Sequence, residues 1–141
     1  MQRNRIVIDC DPGIDDTFAL ILCIKKLDVA GIVAVGGNTG LQFTSRNARY
    51  VTELTGRTDI PVYAGYDQPM LGNAVRAEYV HGVGGLGDLD IPEPKKQLEN
   101  EHGVDFLIRT FMNENDVSLV AIGPVSYTHL RERRSRERLT V

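Results

Sequence analysis

The amino-acid sequence predicts an α/β protein with an open, mostly parallel, Rossmann-like sheet and helices on both faces. Three observations carry this expectation. Short β-branched runs alternate with helix-length amphipathic segments, which is the order of a parallel sheet. Those runs are apolar at consecutive positions rather than alternating, as strands covered on both faces are. The residues able to do chemistry fall mainly at the carboxyl ends of the runs, where ligands lie in such sheets.

The elements follow in order. Ile6 to Ile8 is a short β-branched strand, broken by the turn-forming Pro12-Gly13. Thr17 to Lys26 is apolar on most sides and long enough for a buried helix, with Asp15 and Asp16 in its first turn, where carboxylates suit free N–H groups and the helix dipole. Val29 to Val35 is the second strand and runs into Gly36-Gly37-Asn38. Thr44 to Thr55 is a helix closed by Gly56, with Ala48, Val51 and Leu54 on one face. Ile60 to Ala64 is the third strand. Val104 to Met112 is a helix with Val104, Leu107, Ile108 and Phe111 as its apolar stripe, and Val117 to Ile122 is a fourth strand, apolar except for Ser118. Between them Tyr66 to Gln97 is rich in Gly and Pro and has no periodicity, and a loop this long is usually functional or disordered.

Composition narrows the class. The chain has 141 residues, 42% of them hydrophobic and 25% charged, which suits one globular domain. No apolar run is long enough to span a bilayer, and Met1-Gln2-Arg3-Asn4-Arg5 has no signal-peptide core behind it. Cys10 and Cys23 have neither redox-motif nor disulfide-framework spacing, so buried free thiols in a cytoplasmic protein are expected. The net charge of −3 gives no sign of nucleic-acid binding. It conceals an asymmetry: residues 131–138 carry five Arg and two Glu, leaving −6 on the remainder.

The chemistry concentrates in Asp9-Cys10-Asp11-Pro12-Gly13-Ile14-Asp15-Asp16. Helix capping accounts for one or two of these carboxylates. Asp9 and Asp11 point to the same side, because strand side chains repeat every second residue. Negative charge packed this closely is repulsive unless protons or a cation relieve it, and several hard oxygen donors favour Ca²⁺ or Mg²⁺. Asn38 after two glycines either makes a turn or serves the same site. His81 is either a solvated loop histidine or a pocket residue. The run Gly82-Val83-Gly84-Gly85-Leu86-Gly87-Asp88 lacks a leading strand and a following Lys-Ser/Thr, so it is a poor phosphate-binding loop. A strand followed by Asp-x-Asp also opens haloacid-dehalogenase-like Mg²⁺-dependent phosphatases, but Pro12-Gly13 and the Asp15-Asp16 pair fit that pattern poorly.

The same eight residues resemble the D-x-D-P-G-x-D-D signature of the inosine–uridine-preferring nucleoside hydrolases, and Val35-Gly36-Gly37-Asn38 resembles that family's V-x-G-N. The resemblance implies Ca²⁺-dependent cleavage of the N-glycosidic bond of a ribonucleoside to free base and ribose (an EC 3.2.2-type N-glycosidase). It makes Asp11 the catalytic base and a metal ligand, Asp16 the main metal ligand, and the Ile122 carbonyl a main-chain ligand. Asp15 would hold the ribose hydroxyls, Asn38 and His81 would face substrate, and Asp9 would support the network. It also implies a homodimer or homotetramer, with neither nucleic-acid nor membrane partners. The resemblance covers residues 4 to 126. At Tyr127 the family has Asn, and 127–141 is expected to be a foreign or frame-shifted tail, with 1–126 the amino-terminal part of the hydrolase domain. In the family a second half supplies another Asp ligand, ribose contacts and a His that protonates the leaving base. This chain alone is therefore expected to be inactive, the alternative being a non-catalytic fragment that binds metal or ribose. Base preference is not legible in it.

Overall fold

The computed structural model describes residues 5–69 and 72–124, so the predicted tail at 127–141 lies outside the described residues. Among the described residues four strands form the sheet: β1 (Arg5–Cys10), β2 (Asp28–Ala34), β3 (Val62–Ala64) and β4 (Val117–Ala121). The helices are α1 (Ile14–Lys26), α2 (Leu41–Leu54), the single turn α3 (Glu78–His81) and α4 (Gly103–Asn113). The strand order is β3-β2-β1-β4, and all three pairings are parallel. Ile8 of β1 lies opposite Ile32 of β2 and Val120 of β4, so β1 runs through the middle with a neighbour on each side.

Alternation along the strands sorts side chains onto two faces. Ile6, Ile8 and Cys10 pack with Leu20 and Ile24 of α1 and Ala48 and Val51 of α2. Val7, Val33 and Val35 pack with Tyr63 and Phe106, which brings α4 onto the opposite face. Each fully buried aliphatic side chain contributes about 1.5–3 kcal/mol, which is why uninterrupted apolar strands settle at the centre. Both ends of α1 suit the helix dipole, with Asp15 and Asp16 in the first turn and Lys25 and Lys26 in the last. Helix α2 stops where Gly56 takes φ +69, and Arg57 N–H then turns back to the Thr52 carbonyl at 2.8 Å.

Several sequence expectations are corrected. The fully buried face of α4 is Gly103, Phe106 and Thr110; of the predicted stripe, Leu107 packs half-buried against the core, while Ile108 is 58% exposed and Phe111 lies at the rim. The reason lies on the strand beneath. Gly31 has no side chain and leaves a socket for the Phe106 ring, which stacks on Tyr63 with centroids 4.0 Å apart. Leu54 is exposed rather than part of the α2 core face, and Cys23 is only half-buried. Strand β4 is half-buried, since β1 is its only neighbour among the described strands. His102 caps α4: its Nδ1 accepts the Val104 N–H at 3.3 Å. The described residues between 66 and 97 are irregular as expected apart from α3. Among the described residues, no helix is long and apolar enough to cross a membrane.

Candidate active site

The site forms where β1 leaves the sheet. Cys10 is the last strand residue, Asp11-Pro12-Gly13 makes the turn, and Ile14 opens α1. One helical turn carries Asp16 back over that exit, and its Oδ2 accepts the Asp11 backbone N–H at 2.9 Å. Both carboxylates are buried, Asp11 at 4% and Asp16 at 7% exposure. Burial pushes both upward. Asp16 reaches about 7, opposed by the Asp11 N–H and reinforced by the neighbouring Asp11 charge. For Asp11 burial outweighs the Asn38 N–H, which acts the other way by stabilising the charged form. The two carboxylates form a coupled acidic pair, and a proton or a cation relieves it.

Asn38, at the end of the β2 exit, grips Asp11 twice. Its backbone N–H donates to Asp11 Oδ2 at 2.7 Å and its side-chain amide donates to the Asp11 carbonyl at 3.1 Å. This approach requires glycine at Gly37, where a Cβ would overlap the Asp11 carboxylate and touch Pro124. Gly13 is required similarly, since a Cβ there would lie 2.6 Å from His81 Nδ1 and 2.8 Å from Asn38 Nδ2.

His81 comes from the far end of α3, and its Nδ1 accepts the Ile14 N–H at 3.2 Å. That bond assigns the Nδ1 lone pair inward and leaves the ring proton on Nε2. Asp15 Oδ1 is 4.0 Å from the same nitrogen, too far for a hydrogen bond, and its side chain is 75% exposed. Asp15 therefore stands at the rim while Asp16 turns inward. Asp9 is fully buried, and its carbonyl accepts the N–H groups of Ile122 at 2.9 Å and Gly123 at 3.0 Å. This ties the β4 exit to β1. Cys10 lies among these acids, but burial first and then their charges push its thiol well up, so it is no nucleophile.

The structure thus brings Asp9, Asp11, Asp16, Asn38, His81 and the Ile122 main chain to one end of the sheet, with Asp15 at the edge. Among the described residues no three His, Cys, Asp or Glu side chains form a metal-holding group. A surface hollow lies elsewhere, at the amino ends of the strands, where Arg5 is paired with Glu114 and Arg57 with Asp59. Sequence reasoning missed the polar scaffold beneath the site. Asp67 Oδ1 accepts the Leu41 N–H at 2.7 Å and an Arg76 guanidinium N–H at 2.8 Å, and Arg76 also donates to the Thr39 carbonyl at 2.8 Å. Thr39 and Asn47 are both fully buried. Apolar periodicity cannot find such residues; only their polarity inside an apolar-patterned region hints at them.

A parallel sheet whose central strand delivers a buried carboxylate pair, flanked by an amide and an imidazole, defines an α/β protein with an acidic cluster at its strand ends. The family described as "Inosine-uridine preferring nucleoside hydrolase" matches residues 6–130, and the chain belongs to that family. The match sets aside the phosphatase alternative. The pyrimidine-specific ribonucleoside hydrolase RihB of Escherichia coli is 38% identical over 89% of this chain and 41% of its own length. Uridine nucleosidase 1 of Arabidopsis thaliana is 33% identical over 89% of this chain and 38% of its own. A solved purine-preferring ribonucleoside hydrolase from Gardnerella vaginalis superposes with a TM-score of 0.79 at 29% identity, covering 85% of this chain and 40% of that one. The chain spans about two fifths of the length of the curated relatives it matches.

Proposed function

We propose that this chain carries the carboxylate side of a Ca²⁺-dependent ribonucleoside hydrolase, which splits the N-glycosidic bond to free base and ribose. The observation that carries the proposal is the buried Asp11–Asp16 pair, held by the Asp11 and Asn38 N–H groups at 2.9 and 2.7 Å. The donors fit the ion. Carboxylate oxygens and a main-chain carbonyl are hard ligands of the kind Ca²⁺ takes in sets of six to eight. Asp11, Asp16 and the Ile122 carbonyl would supply part of that set, with water and substrate hydroxyls filling others. A Ca²⁺ held there would supply a Lewis acid able to lower the pKa of a water.

The chain's own residues then have separate roles. Asp11 accepts the proton of the attacking water, a task suited to a carboxylate whose basicity burial has raised. Asp16 balances the cation and fixes the Asp11 backbone through its 2.9 Å hydrogen bond. Asn38 prevents the Asp11 side chain from rotating, and Asp15 at the exposed rim accepts from ribose hydroxyls. His81 presents its Nε2 proton to the substrate. Asp9 holds the β4 exit, and with it Ile122, against β1. Positioning of this kind supplies a large part of the barrier reduction for water attack on an oxocarbenium-like sugar.

The test is release of reducing sugar from inosine and uridine, with and without Ca²⁺, by this chain and by residues 1–124 fused to the complementary part of the Escherichia coli relative. Turnover by the fused protein that is lost in Asp11→Ala and in chelator supports the proposal. Silence of the fused protein on every nucleoside overturns it.

A further inference from the structure

Asn47 is an α2 residue with no surface exposure, and both of its amide protons are used away from its own helix. One goes to the carbonyl of Pro12 at 2.9 Å and the other to the carbonyl of Gly84 at 2.8 Å. Carbonyls only accept, so this pair of bonds fixes which way the amide faces. The two carbonyls belong to different irregular segments, the acidic turn and the glycine-rich loop after α3. Thr39, also fully buried, adds a third tie, its hydroxyl donating to the Val83 carbonyl at 2.6 Å.

The loop is shaped to sit there. Gly85 adopts φ +82, and a Cβ on it would lie 3.0 Å from Asn47 Nδ2, 3.1 Å from Thr39 Cγ2 and 3.2 Å from the Pro12 carbonyl oxygen. A side chain at this position would push the loop off the turn. The loop also closes on His81, because Gly87 N–H donates to the His81 carbonyl at 2.7 Å. On the other side of the clamp, Pro12 adjoins Asp11 and is two residues from Ile14, whose N–H is the partner of His81 Nδ1. The bonds form a circuit through Asn47, Pro12, Ile14, His81 and Gly84, with the buried amide as its anchor.

We propose that Asn47, assisted by Thr39, is a positioning residue that sets His81 against the Asp11–Asp16 pair. The clamp stands on geometry alone, and its catalytic meaning rests on the proposed hydrolase function. Asn47 touches none of the groups assigned to substrate or metal except through backbone. Asn47→Asp tests it best, since the shape is kept while the one nitrogen that carries both donor protons becomes an oxygen facing two carbonyl oxygens.

The experiment follows the His81 ring nitrogens and the Ile14 amide by NMR in this chain. Asn47→Asp is expected to replace the single Nε2-protonated tautomer with a mixture and to speed Ile14 amide exchange at least tenfold. Exchange at Val7 and Ile8 should stay within twofold, which separates loss of the clamp from loss of the fold. Asn47→Ser, which keeps one donor, should lie between. An unchanged His81 tautomer and Ile14 exchange rate in Asn47→Asp would overturn the proposal. If that variant does not fold, Thr39→Val and Asn47→Ser are judged by the same two readouts. In the fused protein, Asn47→Ser should lower kcat at least tenfold with KM changed less than threefold. Absence of turnover in the unsubstituted fusion would count against the hydrolase function alone, and the NMR readouts would still decide the clamp.

Discussion

Gly13→Ala isolates the contact on which the site depends. Gly13 has φ −94 and ψ −159, a backbone conformation that alanine adopts freely, so its need for glycine is steric. The added Cβ would lie 2.6 Å from His81 Nδ1 and 3.1 Å from His81 Cε1, with Asn38 Nδ2 at 2.8 Å on the other side. Ordinary contact needs about 3.5 Å, so the imidazole must retreat by roughly 0.9 Å. The Ile14 N–H to Nδ1 distance is already 3.2 Å, and that retreat breaks the bond. Stability changes little: the lost hydrogen bond costs about 1 kcal/mol, and alanine at a helix N-cap costs about 0.5–1 kcal/mol. Reduced freedom of the unfolded chain returns about 0.4–1 kcal/mol. A net loss near 1 kcal/mol lowers Tm by about 3 °C. Function should suffer far more, because displacing a reacting group by about 1 Å costs on the order of 100-fold. Calorimetry on this chain and kcat/KM of the fused protein on inosine or uridine give the two numbers. A variant that melts within a few degrees of the parent and retains at least half of its kcat/KM would refute the reasoning.

Two further outcomes follow from the carboxylate pair and the core. The Asp16 carboxyl stands at about 7 in the fold against 3.8 for the ordinary group. Without cation, its stabilising contribution is therefore complete below about pH 4 and is lost as pH rises through 7. Cation binding must displace that proton, so Ca²⁺ affinity should climb between pH 6 and 8 with proton release visible by calorimetry in two buffers. Affinity independent of pH, with no proton released, would contradict the coupled pair. In the core, Phe106→Ala empties the socket over Gly31 and removes the stack on Tyr63. A loss of about 3–5 kcal/mol is expected, or roughly 10 °C in Tm, and a shift under about 3 °C would show that the socket collapses at little cost.

Much of this protein was legible because two signals in the chain are local. The β-branched runs at Ile6, Val29, Val62 and Val117 are each apolar at nearly every position, and only a sheet covered on both faces accommodates that. Asp11, Pro12, Gly13 and Asp16 are close in sequence, so the turn and the first helical step bring the carboxylates together whatever the rest of the chain does. The carboxylate pair and its place at a strand end therefore follow from sequence alone.

Only tertiary structure decided what meets that turn. His81 is 67 residues from Ile14 in the chain, and Asn47 is 35 from Pro12. No periodicity encodes such partners, because they are chosen by which backbone groups would otherwise be buried unpaired. The same holds on the other face. Of the α4 stripe predicted at Val104, Leu107, Ile108 and Phe111, Leu107 packs on the core but Ile108 and Phe111 give way to Phe106, since the missing side chain of Gly31 on β2 sets where a ring can enter. Sequence specifies the groups and their local spacing; the fold specifies which groups become neighbours, because packing and backbone satisfaction are settled between segments and not within them.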